Sequence, residues 1–303
     1  MGSLSNKKTK INLYMGIKNN INFLMLLFIL FNYNCQSKSI SSENDDNAPI
    51  AYNLTSKTIY VPQSIEGTIQ NRPVIIQTPN EIDPNINYPM VFAFHGRGGS
   101  NTNWANTLTD YTTSGSFIGI YPQGFLDCWN LGPEPSNADD VEFVNLIVEE
   151  LHNYNNLDFD KMYAIGTSNG SGMVNKLAIE TNHFLAIAPV VSQLVVSLPI
   201  LESTNPISVF QVNGAADETI PINGGSKFGH VFLDAYESAE LWASHFNCIE
   251  NPEVNILGDD TLTIFESCDE NKEIRYLRIE NGGHNLNLNI LFPEIWEFFN
   301  VFK

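Results

Sequence analysis

The sequence predicts a single α/β domain in which helices cover both faces of a mostly parallel sheet. Hydrophobic residues make up 43% of the 303 residues and aromatic residues 11%, which is enough apolar surface for a large core. From residue 90 onward, short apolar segments without polar alternation recur, as expected of strands buried on both faces. Segments of helical periodicity alternate with them, which is typical of βαβ units.

Eight segments predict strands and four predict helices. The predicted strands cover residues 58–61, 74–77, 90–94, 117–121, 162–165, 185–190, 209–212 and 274–279. The predicted helices cover residues 140–154, 170–180, 233–246 and 293–302, and apolar side chains recur at helical spacing in the first of them. We therefore expect one domain over residues 51–303.

Residues 1–34 are typical of a secretory signal peptide. Lys18 precedes the apolar segment 21–31 (INFLMLLFILF), and no acidic residue occurs before Cys35. The position of Cys35, shortly after the apolar segment, resembles the lipidation site of bacterial lipoproteins. Residues 35–50 are polar and charged, as expected of a tether. We expect an exported protein, either secreted or attached to the cell envelope through Cys35.

The charge and the motif content exclude several classes of partner. The chain has 34 acidic and 15 basic residues, a formal net charge of −19, so its surface repels the phosphate backbone of nucleic acids. No run of 18 or more apolar residues predicts a membrane-spanning helix, which leaves a lipid anchor as the expected membrane contact. Neither CxxC nor HExxH occurs, so no metal site is predicted.

The remaining cysteines predict one disulfide. If Cys35 is the anchor, Cys128, Cys248 and Cys268 remain, and export would place them in an oxidising compartment. Cys248 and Cys268 are 20 residues apart in a region that contains Gly, Asp and Asn, which favours their pairing. Cys128 is then the unpaired residue.

Ser168 is the predicted nucleophile. It occupies the centre of a G-x-S-x-G motif, residues 166–170, between the predicted strand 162–165 and the predicted helix 170–180, as in a nucleophile elbow. Its glycines allow the tight turn, and the N-terminus of the following helix favours a developing negative charge. The alternative is an ordinary glycine-rich turn between a strand and a helix.

Asp217 and His284 are the predicted acid and base, because nucleophile, acid and histidine follow one another in this order along chains of this type. Asp217 follows the predicted strand 209–212, and loops at the carboxyl ends of parallel strands face the active site. His284 follows the predicted strand 274–279 in an NGGH loop, whose two glycines give it conformational freedom.

Other acids and histidines fit these roles less well. His183 precedes a strand, His230 lies in a polar loop, and His245 lies on a predicted helix. Asp234 lies within the same predicted helix, on its solvated face, and Glu218 remains the alternative acid.

The oxyanion hole is expected to use two backbone N–H groups. One belongs to Asn169, which follows the nucleophile. The other lies in the HGRGG loop after the predicted strand 90–94, where Arg97 is preferred and Gly98 is the competitor. His95, in the same loop, precedes the nucleophile in the chain and is expected to order the loop.

Several segments of the chain resemble one family when taken together. They are FAFHGRGG, IYPQG with CWN, DDVEFVNLIVEEL, MYAIGTSNGSGMV, FLAIAPV, NGAADETIPINGG, SAELWASHFNC and NGGH, in order from about residue 70 to 285. The set resembles bacterial esterases of the polyhydroxybutyrate-depolymerase and feruloyl-esterase type, in the α/β-hydrolase superfamily.

This resemblance implies a function and a site. Ser168, Asp217 and His284 match the catalytic triad, Cys248 and Cys268 match a recurring disulfide, and the resemblance places Trp129 at the acyl or sugar pocket. The sequence after His284 is Asn-Leu-Asn, where many relatives have a Trp-Pro turn.

The expected reaction is ester hydrolysis through an acyl-enzyme without a cofactor. The expected substrates are feruloyl or acetyl esters of plant polysaccharide. A polyhydroxyalkanoate depolymerase and a serine peptidase of the same fold are the alternatives.

Overall fold

The computed structural model describes residues 51–302, so the expected signal peptide, Cys35 and most of the tether lie outside the described residues. The strands are β1 (Lys57–Ile65), β2 (Thr68–Gln77), β3 (Tyr88–Phe94), β4 (Ile118–Pro122), β5 (Leu157–Thr167), β6 (Ala186–Val190), β7 (Ser208–Gly214), β8 (Gly225–Lys227), β9 (His230–Phe232), β10 (Glu253–Leu257), β11 (Asp260–Phe265) and β12 (Ile274–Ile279). The helices are α1 (Asn101–Thr107), α2 (Thr109–Thr113), α3 (Asp140–Leu151), α4 (Asn169–Glu180), α5 (Ala235–His245) and α6 (Leu288–Val301).

Ten strands form one sheet, in the order β1-β2-β4-β3-β5-β6-β7-β12-β11-β10. The central strands, from β4 to β12 in this order, pair in parallel, whereas β1, β2, β10 and β11 extend the two ends antiparallel. Strands β8 and β9 form a separate hairpin. Because parallel strands end at the same edge, the loops after β3, β5, β7 and β12 meet there.

Helices cover both faces of this sheet, as the sequence predicts. Successive residues of β5 belong to opposite cores: Met162 and Ala164 pack with α3, α4 and α5, whereas Tyr163 and Ile165 pack with α1 and α6. Strands β4, β6 and β7 are buried along their whole length. Burial on both faces explains why these strands lack polar alternation in the sequence.

The sequence prediction misses helices α1 and α2 and the hairpins β8–β9 and β10–β11, and it misplaces the starts of α5 and α6. Strand β10 is largely exposed and lacks the continuous apolar pattern that predicts the buried strands. Helix α5 begins at Ala235, because the Asp234 carboxylate caps it by accepting the N–H groups of Tyr236 and Glu237. Asp234 is therefore an N-cap and not a residue of the helix. Helix α6 includes Pro293 and begins before it, at Leu288.

No helix within residues 51–302 combines the length and the apolar character that crossing a membrane requires. Nor does this part of the chain contain a group of three or more His, Cys, Asp or Glu side chains arranged to hold a metal ion.

A disulfide joins Cys248 to Cys268, linking the chain after α5 to the segment before β12. Cys128 is buried and is the free cysteine of the described residues.

Protein made in an oxidising compartment should contain the Cys248–Cys268 disulfide, which a non-reduced peptide digest analysed by mass spectrometry would detect. In the chain-entropy model, closing a loop of this 20-residue separation contributes about 3 kcal/mol to the free energy of unfolding. Replacing both cysteines with serine should lose about that amount, measured by urea denaturation. Cys128→Ala is the control for loss of a thiol without loss of a crosslink. Both thiols free, or either joined to Cys128, would contradict the pairing.

Candidate active site

Three loops at the carboxyl edge of the sheet bring Ser168, His284 and Asp217 into one chain of hydrogen bonds. Ser168 follows β5, Asp217 follows β7 and His284 follows β12. The distance from His284 Nε2 to Ser168 Oγ is 2.9 Å, and that from His284 Nδ1 to Asp217 Oδ2 is 2.7 Å. With the proton on Nδ1, the imidazole donates to the carboxylate and its Nε2 accepts from the serine hydroxyl. This arrangement is that of a Ser-His-Asp triad.

The backbone at Ser168 is tightly constrained. Its φ is 55° and its ψ −118°, a conformation that side chains rarely adopt. A Cβ atom at Gly166 would lie 2.1 Å from the carbonyl oxygen of Gly170, and one at Gly170 would lie 2.2 Å from that of Phe94. Only glycine fits at these two positions, so the motif is a steric requirement of the turn that presents the serine hydroxyl.

The Asp217 carboxylate is held on both of its oxygens. Oδ2 accepts from His284, while Oδ1 accepts the N–H groups of Thr219 and Ile220 at 2.8 and 2.9 Å. Asp217 is buried, whereas the neighbouring Glu218 is exposed. In this geometry the partner of the histidine is Asp217 and not Glu218.

The acid and base loops are also bonded to each other. The N–H groups of Ala215 and Ala216 donate to the carbonyl oxygens of Ile279 and Gly282, both at 2.8 Å. A Cβ atom at Gly214 would lie 2.3 Å from Gly282 O, so the two loops are in close contact.

Hydrogen bonding distinguishes the two candidate oxyanion donors in the HGRGG loop, Arg97 N–H and Gly98 N–H. Gly98 N–H donates to Asp127 O at 2.7 Å and is already engaged. Arg97 N–H and Asn169 N–H have no backbone acceptor of this kind within residues 51–302. Both residues line the cavity beside Ser168.

His95 orders the loop on which Arg97 lies. Its Nδ1 is 2.8 Å from Gly96 O, and its Nε2 accepts the N–H of Gly124 at 3.0 Å. Burial lowers the pKa of His95, which favours the neutral imidazole that this pair of bonds requires.

Trp129 does not line the pocket, contrary to the expectation from the family resemblance. Its side chain is fully buried, at 0% exposure, and packs edge-on against Phe94. The indole N–H donates to His95 O at 2.8 Å. The ring therefore fixes the loop that contains Arg97 from beneath and has no surface open to a ligand.

Two cavities meet at Ser168 and share Arg97 and His284. The first encloses about 300 Å³, and its apolar walls are formed by Leu131, Val195, Ile220, Phe228 and Phe232. The second encloses about 280 Å³ and is lined by Gly96, Thr167, Val191, Asn285 and Leu286, among others. An ester with its carbonyl carbon at Ser168 would therefore extend one side into each cavity.

The first cavity also contains a buried acid and histidine that the sequence analysis did not identify. The prediction that His230 lies in a polar loop is wrong, because this residue belongs to β9 and is 5% exposed. Its Nε2 is 2.8 Å from Glu134 Oε1. Burial raises the pKa of Glu134, but hydrogen bonds from His230 and Leu131 N–H, with the His230 charge, outweigh burial and lower it. Glu134 follows Gly132 and Pro133, a turn signal that carries no sign of burial.

The other histidines and Asp234 lie away from the two cavities. His183 Nε2 is 2.7 Å from Asn145 Oδ1, and His245 lies at the end of α5.

No family model matches the chain. Feruloyl esterase B of Piromyces equi is 24% identical over 230 residues, which cover 70% of this chain and 42% of that protein. Probable feruloyl esterase C of Aspergillus niger is 27% identical over 246 residues, 76% of this chain and 84% of that protein. Among solved structures, acetyl xylan esterase from Aspergillus awamori has a TM-score of 0.54 at 18% identity, covering 76% of this chain and 94% of that one. The chain has the α/β-hydrolase fold. The chain spans less than half the length of the Piromyces equi relative.

Gly170→Ala should disrupt the turn, because its Cβ would collide with the backbone of β3. We expect the free energy of unfolding to fall by about 3 kcal/mol, measured by urea denaturation, as for other overpacked sites. Gly283→Ala is the matched control, because a Cβ there would meet nothing closer than 3.9 Å. Equal stability of the two variants would contradict the steric reading of the motif.

Proposed function

We propose that this chain is a serine-dependent carboxylic ester hydrolase. The observation that carries the proposal is the continuous hydrogen-bonded chain from Ser168 Oγ through His284 to Asp217, located where two cavities meet. The names of the feruloyl and acetyl xylan esterases to which the chain is similar support the same reaction.

The proposed mechanism proceeds through an acyl-enzyme, and the geometry of the three residues supports it. Ser168 Oγ attacks the ester carbonyl while His284 Nε2 accepts its proton, and the carbonyl oxygen becomes an oxyanion. The N–H groups of Arg97 and Asn169 stabilise that oxyanion, and each such donor is worth about 3 kcal/mol. Collapse of the intermediate breaks the carbon–oxygen bond, and His284 returns the proton to the departing alcohol.

Water then hydrolyses the acyl-enzyme by the same steps, with His284 again as base. The Asp217 carboxylate keeps the proton on Nδ1, so that Nε2 remains free to accept one. These residues supply the nucleophile, the base and the oxyanion donors, so the proposed reaction uses no cofactor.

The proposed substrates are feruloyl or acetyl esters of plant polysaccharide. The first cavity has two phenylalanines in its walls and suits an apolar acyl group larger than acetyl. The second cavity, with Thr167 and Asn285, offers hydrogen-bonding groups for a sugar alcohol. We assign the acyl group to the first cavity and the alcohol to the second.

We also propose that residues 1–34 direct export and that Cys35 is lipidated, with residues 35–50 as a tether. The pattern of Lys18, the apolar segment 21–31 and Cys35 supports this proposal, and a disulfide at Cys248 and Cys268 is compatible with an oxidising compartment.

Ser168→Ala should abolish ester turnover and leave the fold intact, because alanine is smaller than serine and the turn tolerates it. We expect kcat to fall by about a thousandfold or more on 4-nitrophenyl acetate and methyl ferulate. Ser64→Ala, at an exposed serine of β1, is the control. A hydroxybutyrate oligomer and a peptide anilide complete the substrate panel. Turnover of the anilide alone by the wild-type protein would identify a peptidase instead.

Asp217→Asn should lower kcat with little change in KM. The amide would hold the imidazole in the wrong tautomer, an effect worth about ten-thousandfold in a comparable triad. The control is Glu218→Gln at the neighbouring exposed acid, for which steady-state kinetics should match the wild type. A larger loss in the Glu218 variant than in the Asp217 variant would contradict the proposed role of Asp217.

A further inference from the structure

A buried acid and histidine line the wall of the first cavity. The side chains of Glu134 and His230 are each 4% exposed, with 2.8 Å between Oε1 and Nε2. Burying a carboxylate and an imidazole removes both from water, a cost that the hydrogen bond between them must offset. His230 Nδ1 is also buried without a hydrogen-bond partner in the described part of the chain, which is unfavourable. Stability alone therefore does not account for this pair.

We propose that Glu134 and His230 are specificity-determining residues, which hold the wall of the first cavity at a fixed position relative to the oxyanion donors and so select aromatic over small acyl groups. This inference rests on the proposed ester hydrolase function and concerns the same site.

The Glu134 carboxylate connects three parts of the site. Oε1 accepts from His230 and, at 3.3 Å, from Asn169 Nδ2, while Oε2 accepts Leu131 N–H at 2.9 Å. The Asn169 side chain also pairs with the backbone of Trp129, accepting its N–H at 2.7 Å and donating to its carbonyl oxygen at 3.0 Å. The carboxylate thus joins the residue after the nucleophile to the β8–β9 hairpin.

This hairpin carries the aromatic part of the cavity wall. Its turn consists of Phe228 and Gly229, with φ of 53° and 84°, both in the left-handed region that tight hairpin turns use. A Cβ atom at Gly229 would lie 2.7 Å from Pro133 Cβ, so the turn lies directly against the loop that contains Glu134. Phe228 and Phe232 both line the cavity. Phe228 is 55% exposed, whereas Phe232 is buried.

The position of Phe228 therefore depends on the bond between His230 and Glu134. A flat aromatic acyl group can contact both phenylalanines and Leu131, whereas an acetyl group bonded to Ser168 extends too short a distance to use the far wall. Loosening the hairpin should then weaken catalysis on aromatic esters and spare catalysis on acetate.

The test compares kcat/KM for 4-nitrophenyl ferulate and 4-nitrophenyl acetate, two esters with the same leaving group. For His230→Gln, we expect the ferulate value to fall about tenfold or more and the acetate value to change less than about threefold, a range typical of altered pocket contacts. Glu134→Gln should lower the ferulate preference similarly and also lower kcat on acetate, because the amide has one acceptor oxygen and cannot keep the bonds to both Leu131 N–H and Asn169. His183→Gln, at a histidine hydrogen-bonded outside the cavities, is the matched control.

Phe228→Ala separates specificity from folding, because this side chain is already half exposed. It should reduce the ferulate value about tenfold, reduce the acetate value by a much smaller factor and leave the thermal midpoint within about 2 °C of the wild type.

The outcomes distinguish failure of the proposed function from failure of this inference. If the wild-type protein hydrolyses neither ester, the proposed function and this inference both fail. If it hydrolyses them but His230→Gln and Phe228→Ala keep the wild-type ratio of the two kcat/KM values, the inference fails and the hydrolase function stands. Equal losses on both esters in His230→Gln, accompanied by a lower thermal midpoint, would show that the pair has a merely structural role.

Discussion

The site depends on one close approach of backbones, where the turn at Ser168 passes over the end of β3. Gly166 and Gly170 allow carbonyl oxygens to occupy the space in which side chains would lie, and Gly170 lies against Phe94 O. Ser168 takes an unfavourable backbone conformation there, and the packing of β5 and α4 on either side maintains it. In the proposed mechanism this strain has a chemical use, because the turn directs the hydroxyl away from the core and starts α4 directly after it, with its first N–H groups near the position proposed for the substrate carbonyl.

The parallel sheet then determines where the partners can come from. Asp217 and His284 are 67 residues apart in the chain but follow adjacent parallel strands, β7 and β12. Their loops contact each other through Gly214 and Gly282, so the acid and the base form one bonded unit that meets the nucleophile at the sheet edge. A side chain at the opposite edge, such as His183, cannot reach this point however well its type suits the chemistry.

The parts of the site that follow from sheet geometry could be predicted from the sequence, whereas those built by the segment between β4 and α3 and by the β8–β9 hairpin could not. Buried strands have a continuous apolar pattern, and a triad order is readable along the chain, which is why Ser168, Asp217 and His284 could be selected. The family resemblance places Trp129 at the pocket, whereas its ring is buried in the core, because proximity to an active-site loop in the sequence does not determine which way a side chain faces. His230 lies in a three-residue strand, too short for any periodicity to reveal burial.

Under the proposed function, the segment between β4 and α3 would combine support for catalysis with choice of substrate. Within a few residues it contains Trp129, whose indole holds the carbonyl of His95 beneath the oxyanion loop, and Glu134, which binds both Asn169 and the β8–β9 hairpin. A change in this segment would be transmitted to the oxyanion donors and to the cavity wall together, because the same polar groups hold both. In this proposal the sheet edge supplies the reaction geometry, whereas the segment between β4 and α3 and the β8–β9 hairpin form the part of the site in which acyl preference can vary without moving Ser168, His284 and Asp217.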